Sequence, residues 1–283
     1  IPAIALGTSL GHYTDGTRKL PVNNSLAQAV EWALEAGYRH VDTASLYRVE
    51  DEVGLGVWSY VNNVNSTCTR EDVYITTKLW NDAHEREEVI PALRKSLEEL
   101  KMTYVDLYLM HYPMAYKVSL GSFFHTAKGY EKNLFIDQVN PTITQDELVN
   151  WCQAHGVVVM GYSPFGAVLG RVKSAPGPRT NDTLLQELAK KYNKEVPQIL
   201  LRYLLDRNIV AIPRSTNEHR IHMNVDIEDF KLTPEEVKKL SEFNQNYRLR
   251  TPAKWYDHPQ FPFEKKNLTK EELKFIIDNS KED

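Results

Sequence analysis

Short apolar runs and longer amphipathic stretches take turns along this chain. The runs YRHVDTA, DVYITTKLW, YVDLYLMHYP, VVVMGYSP and NIVAIPRS are rich in β-branched and aromatic residues. Between them lie stretches with helical spacing of apolar positions. In NNSLAQAVEWALEAG, Leu26, Ala29, Val30, Ala33 and Leu34 fall on one face. Asn24 or Ser25 can cap its start and Gly37 can close its end. EREEVIPALRKSLEEL, DELVNWCQAHG, NDTLLQELAKKY and PQILLRYLLDR read the same way. EDEVGLGVWSYV reads as a helix weakened by Gly54 and Gly56. Capping boxes are expected at Thr144–Glu147 and Thr233–Glu236, and Thr269 opens a last helix. Strands that alternate with helices imply parallel strands joined by crossovers.

Two α/β architectures fit this pattern, a doubly wound sheet and a (β/α)8 TIM barrel. A nucleotide-binding doubly wound sheet carries a GxGxxG turn after its first strand. The chain has neither that turn nor a P-loop, which favours the barrel. No linker, charge block or low-complexity tract divides it, so residues 1–283 are read as a single barrel domain. That length suits one such barrel. With a net charge of −4, neither nucleic acid nor an anionic membrane is an expected partner. No apolar run reaches the ~20 residues of a membrane span. Two distant cysteines, Cys68 and Cys152, and no visible leader point to a reduced, cytoplasmic protein.

One stretch breaks the alternation. FFHTAKGYEKNLFIDQV, Phe123 to Val139, runs from a polar, aromatic loop straight into a strand-like piece with no helix between.

In a barrel of this kind, catalytic groups come from the ends of several strands. Asp42 and Tyr47 follow the second strand, Lys78 ends the third and His111 ends the fourth. Gln138 lies in the strand-like piece after the break, Tyr162 and Ser163 end the next strand, and Arg214 and Ser215 end the last. The first four make a coherent proton-donating set. A phenol is too weak an acid at neutral pH unless a nearby ammonium favours its ionised form. Lys78 is expected to lower Tyr47 in this way, with Asp42 holding Lys78 and His111 orienting a substrate oxygen. Such a set suits a substrate oxygen that is gaining negative charge. A metal is not expected, because no paired His/Cys spacing occurs. A serine hydrolase fits poorly without a GxSxG elbow.

These residues sit in motifs that resemble the aldo-keto reductases: DTASLY followed by EVG, then ITTKLW, DLYLMHYP, GYSPFG and IPRSTNEHRIHMN, in the family's order and across nearly the whole chain. The opening IPAIALGTSLG is similar to insect members, including 3-dehydroecdysone reductases. The resemblance implies a (β/α)8 barrel, a monomer, and NADPH-dependent reduction of aldehydes and ketones. It places the catalytic tetrad on Asp42, Tyr47, Lys78 and His111, with Tyr47 as proton donor. It puts the nicotinamide on Tyr162, its carboxamide on Gln138, and Gly7 and Thr8 beside it. Ser163, Phe165 and Gly166 would follow the pyrophosphate. Arg214, Ser215 and Arg220 would hold the adenosine 2′-phosphate, and Asn224 the adenine. Two guanidiniums and a hydroxyl suit a phosphate monoester, which favours NADPH over NADH.

The chain also departs from the family. Met223 stands where the family has an adenine-side glutamate, Arg214 replaces a lysine, and Ser9 replaces an aromatic residue. Between His111 and Gln138 the family has a helix, a fifth strand ending in a Ser-Asn pair, and another helix. Here the interval is too short for them, since a βαβ unit takes roughly 30 residues or more. The fourth helix and fifth strand are therefore expected to be absent, with the join between Ala127 and Leu134. The partner expected is a small hydrophobic carbonyl compound, such as a ketosteroid or long aldehyde. Tyr112, Phe123, Phe124, Trp255, Tyr256 and Phe261 are candidates to line its pocket.

Overall fold

The computed structural model describes residues 1–13, 17–112, 134–170 and 175–249. Seven strands alternate with helices: β1 (Leu6–Gly7), α1 (Ser25–Glu35), β2 (His40–Asp42), α2 (Glu50–Val61), β3 (Tyr74–Leu79), α3 (Arg86–Leu100) and β4 (Leu107–Met110). After the residues outside the description come β5 (Leu134–Gln138), α4 (Asp146–Ala154), β6 (Val158–Tyr162), α5 (Thr183–Tyr192), α6 (Val196–Asp206), β7 (Ile209–Ile212), α7 (Glu218–Val225) and α8 (Pro234–Ser241). The expected helix at Thr269 lies outside the described residues.

Every strand pair is parallel. One sheet has the order β1-β2-β3-β4 and the other β5-β6-β7. The two meet where the chain start runs beside β7. Ala5 N–H donates to the Ala211 carbonyl at 2.9 Å, Ala211 N–H to Ala3 at 3.0 Å, and Gly7 N–H to Pro213 at 2.9 Å. The wall therefore runs β4-β3-β2-β1-β7-β6-β5. Among the described residues, no strand pairs with the outer edge of β4 or of β5. These edges flank the short interval between His111 and Gln138, where a βα unit is expected to be absent. Both edges face one interior, because Leu107 and Leu109 of β4 and Ile136 of β5 pack on the same inner cluster of Ala5, Met160, Val210 and Ile212.

The larger core lies between the wall and the helices. Helix α2 enters that layer closely, and this explains its glycines. A Cβ at Gly54 would collide with the Leu100 carbonyl of α3, and one at Gly56 with the Ala27 carbonyl of α1. These residues trade helix propensity for close backbone approach. At the start of α2, the buried Glu50 carboxylate accepts hydrogen bonds from Thr77 Oγ1 at 2.5 Å and Ser96 Oγ at 3.1 Å. It ties α2 to β3 and α3.

Two expected caps are replaced. Asn24 takes a left-handed conformation and offers no side-chain cap. Glu52, reaching across from α2, accepts from Leu26 N–H at 2.9 Å and Ala27 N–H at 3.2 Å. At α4, Gln145 is left-handed, and the Thr144 hydroxyl donates to the Asp146 carboxylate at 2.9 Å instead of capping the helix. Gly37, with φ of 102°, closes α1 as expected. The Thr233/Glu236 box forms in full, with Thr233 N–H to Glu236 at 2.8 Å and Glu236 N–H to Thr233 Oγ1 at 3.3 Å.

The Gly54 contact predicts that Gly54→Ala loses about 1–3 kcal/mol of stability despite its better helix propensity. The expected result is a lower urea midpoint with an unchanged denaturant slope. An equal or higher midpoint would contradict the close α2–α3 approach.

Candidate active site

The parallel strands deliver the expected residues to one end of the wall. Gly7, Asp42 and Lys78 stand at or near the carboxyl ends of β1, β2 and β3, and His111 follows β4. Gln138 and Tyr162 end β5 and β6, while Arg214 follows β7.

The centre of this ring is an ion pair. Lys78 Nζ lies 2.7 Å from both Asp42 Oδ1 and Oδ2, and 2.8 Å from the Thr43 carbonyl. Both side chains are buried. All three ammonium donors thus have acceptors within reach, which a buried charge requires. Burial raises the Asp42 carboxyl and Lys78 opposes that rise. Asp42 also anchors its other neighbour through its carbonyl, which accepts from Thr8 N–H at 3.1 Å and Thr8 Oγ1 at 3.0 Å.

Tyr47 closes a short 3-10 turn, Ser45–Tyr47, just after β2. Its ring centroid lies 5.3 Å from Lys78 Nζ and 5.4 Å from the His111 ring, edge to face. Burial pushes the Tyr47 phenol well above its ordinary value, and the Asp42 carboxylate adds to that. The net lowering expected from Lys78 is therefore not found. The opposing influence comes from Arg18, whose guanidinium carbon sits 5.7 Å from the Tyr47 ring centroid. Arg18 forms an antiparallel bridge with His12, flanked by Tyr13 N–H to the Thr17 carbonyl and Lys19 N–H to the Gly11 carbonyl, each at 2.8 Å.

Burial, Lys78 and Arg18 together hold His111 well below the usual imidazole value, so it is neutral at neutral pH. Its Nδ1 has no hydrogen-bond partner among the described residues. Aromatic rings enclose it. Tyr112 stacks on it at 5.2 Å, and Trp80 meets it edge-on at 5.3 Å. Trp80, in the ITTKLW motif, is a member of the site that the sequence expectations leave out. Its position directly after Lys78-Leu79, at a strand end, was the available signal. Phe123, Phe124, Trp255, Tyr256 and Phe261 lie outside the described residues.

The other expected residues lie at the end of β1, after β6, and after β7 through α7. Gly7 leaves little room, because a Cβ there would lie 3.1 Å from Ile212 Cγ2. Ser163 and Gly166 have φ of 50° and 52°. The Asn140 side chain holds this turn by donating to the Ser163 carbonyl at 3.2 Å, and a Cβ on Gly166 would lie 2.6 Å from Asn140 Oδ1. Phe165 packs on the main core. After β7, Ser215 Oγ accepts from Asn217 N–H at 3.1 Å, and Asn217 caps α7 by accepting from Arg220 N–H at 3.1 Å. Arg220 is exposed in the first turn of α7, and Asn224 is buried with its side chain hydrogen-bonded to Tyr38. No cluster of three or more His, Cys, Asp or Glu residues suited to a metal occurs among the described residues.

The sequence profile described as Aldo/keto reductase family matches residues 3–134 and 128–245. The chain belongs to the aldo/keto reductase family. This aldo-keto reductase is 42% identical to the silkworm (Bombyx mori) aldo-keto reductase AKR2E4, covering 93% of this chain and 95% of the relative. It is 33% identical to mouse (Mus musculus) aldo-keto reductase family 1 member D1, covering 93% and 94%. The crystal structure of the silkworm AKR2E4 in complex with NADP superposes with a TM-score of 0.84 at 41% identity, covering 93% of this chain and 95% of that one. That of aldo-keto reductase AKR2E5 complexed with NADPH gives 0.86 at 31% identity, covering 95% and 92%. The family fold is the (β/α)8 barrel expected from the alternation. The silkworm alignment spans 298 positions yet uses only 93% of these 283 residues. At least about 35 positions of the relative therefore have no counterpart here, close to the size of one βαβ unit. The two matched profile segments meet at 128–134, within the expected join.

Buried neutral imidazoles make stability pH-dependent. Burial lowers His40 from its ordinary 6.5 to about 3, and His111 moves in the same direction. Below pH 6.5 the unfolded chain binds protons that the folded chain refuses, so stability falls with pH. From pH 6.5 down towards 3, His40 alone is expected to contribute a loss of about 1.4 kcal/mol per pH unit. Urea midpoints measured across that range check this. In His40→Asn the slope should flatten.

Proposed function

We propose that this chain catalyses NADPH-dependent reduction of aldehydes and ketones to alcohols, with Tyr47 as proton donor. The observation that carries the reading is the buried Lys78–Asp42 pair beneath Tyr47, with neutral His111 edge-on to the same ring. The residues fit the cofactor that the related crystal structures contain. The left-handed Gly166 turn, where a side chain would meet Asn140, keeps backbone open along the path assigned to the pyrophosphate. Arg214, Ser215 and Arg220 supply cations and a hydroxyl for the 2′-phosphate, with Asn224 beside them. Tyr162 and Gln138 would take the nicotinamide ring and carboxamide, and Gly7, Thr8, Ser163 and Phe165 would border them.

When bound, NADPH supplies the hydride. The protein's own part concerns the carbonyl oxygen. Neutral His111 keeps one ring N–H to donate to that oxygen and orient it. The Tyr47 hydroxyl gives its proton as the oxygen gains charge. The phenolate left behind lies close to two cations, Lys78 and Arg18, which stabilise it. The rise of the Tyr47 phenol by burial keeps it protonated until that moment. Trp80, Tyr112 and His111 make an aromatic wall, which favours a hydrophobic carbonyl such as a ketosteroid or long aldehyde over a sugar.

A second reading is a barrel that binds NADPH and has lost turnover. It is favoured by the edges of β4 and β5, which no strand covers among the described residues, and by the absence of the Ser-Asn pair. One pair of measurements separates the two: quenching of tryptophan fluorescence by NADPH, then NADPH oxidation with a reactive aldehyde. Binding with turnover is expected. Tyr47→Phe should lower kcat by at least about 100-fold, the usual contribution of a positioned proton donor, while NADPH affinity stays the same. Undiminished turnover in that variant would contradict the assignment.

A further inference from the structure

The chain beyond α8 returns to the carboxyl ends of β5 and β6. Gln245 and Tyr247 both donate backbone N–H groups to the Thr142 carbonyl at 3.1 Å. Arg248 then places its guanidinium on Asp137, at 2.6 Å to Oδ1 and 3.4 Å to Oδ2. Only 6% of the Arg248 side chain and 9% of Asp137 are exposed, so this is a desolvated pair and not a surface contact. The same guanidinium is close enough to the Tyr162 hydroxyl to oppose the rise that burial gives this phenol. The next residue, Leu249, donates its N–H to Gln138 Oε1 at 3.1 Å.

Asp137 is fixed from its other sides too. Its Oδ2 accepts from Gln145 Nε2 at 2.9 Å, and its Oδ1 from Gln138 N–H at 2.6 Å. Two consecutive residues of the C-terminal segment thus hold the side chains of two strand ends. Leu249 sets which end of the Gln138 amide is presented, since an oxygen accepting that N–H cannot exchange places with the amide nitrogen. Arg248 meets both oxygens of Asp137 with its planar fork, which a lysine ammonium does less well.

We infer that Arg248 is a positioning residue for the nicotinamide end of the site, anchoring the segment after α8 on Asp137 so that the adjacent Leu249 holds Gln138. This rests on the cofactor reading above. It makes the C-terminal segment part of cofactor binding. A guanidinium on a segment remote in sequence supports two groups that must stand in fixed geometry, and such support is what a precise site needs.

The test compares NADPH with adenosine 2′,5′-bisphosphate, which has the adenine and 2′-phosphate but no nicotinamide. Calorimetry measures both ligands on the full chain and on Arg248→Met. The expected result is weaker NADPH binding by roughly 10- to 100-fold, the scale of a misplaced site group, with unchanged binding of the bisphosphate. Arg248→Lys should recover part of the loss, and it serves in place of Arg248→Met if that variant does not fold. Equal affinity for NADPH in wild type and variant would overturn the inference alone. Loss of both ligands to the same degree would reduce Arg248 to general support of the fold and also overturn it. Failure of the wild type to bind either ligand would overturn the cofactor reading and this inference together.

Discussion

The buried pair of Lys78 and Asp42 organises the site. Neither charge could stay in the wall alone, because a lone buried ion costs several kcal/mol. Their pairing depends on strand register. β2 and β3 run parallel with Asp42 opposite Thr76, so Lys78 lies one side-chain step further along the same face. The Thr43 carbonyl takes the third donor only because the chain turns immediately after β2. That same turn continues into the short 3-10 segment that carries Tyr47 over the ammonium. Strand register, turn and ion pair thus act as one unit. Breaking the pair by removing one partner would cost about 3–5 kcal/mol and would release Tyr47 as well.

Around that unit the electrostatics depend on burial more than on any single neighbour. Tyr47 and His111 both move towards their neutral forms for the same reason, the lack of water around them. A neutral phenol and a neutral imidazole are the forms that can each donate to an oxygen. Arg18, from the start of the chain, acts on both. Cations from two different segments therefore flank the Tyr47 ring.

Much of this was legible in the chain itself. The strand–helix alternation gave parallel topology, because side-chain periods of 2 and 3.6 cannot be confused over these lengths. The strand-end positions of Asp42, Lys78 and His111 were legible because each ends or directly follows an apolar run. Caps were less legible. Thr233 forms its box because Pro234 and Glu236 fit the helix start, whereas Thr144 does not cap because Gln145 turns left-handed. Helix α7 was not picked out by periodicity, being short and polar, although Asn217 caps it. Glu52, Arg18 and Arg248 escaped notice because their partners come from other elements. Gln138 and Leu249, for example, are 111 positions apart.

Local pattern thus determined the kind of barrel, the family, and which side chains stand at the carboxyl ends of its strands, since period and strand-end position are properties of neighbouring residues. The interval between His111 and Gln138 is also too short to hold a βα unit. Tertiary structure alone decided what those side chains are. Burial set Tyr47 and His111 in their neutral states, and close backbone approach explained Gly54 and Gly56. The return of the C-terminal segment placed Arg248 against Asp137 and Tyr162. Each of these depends on distances between residues far apart in the chain, which no local pattern encodes.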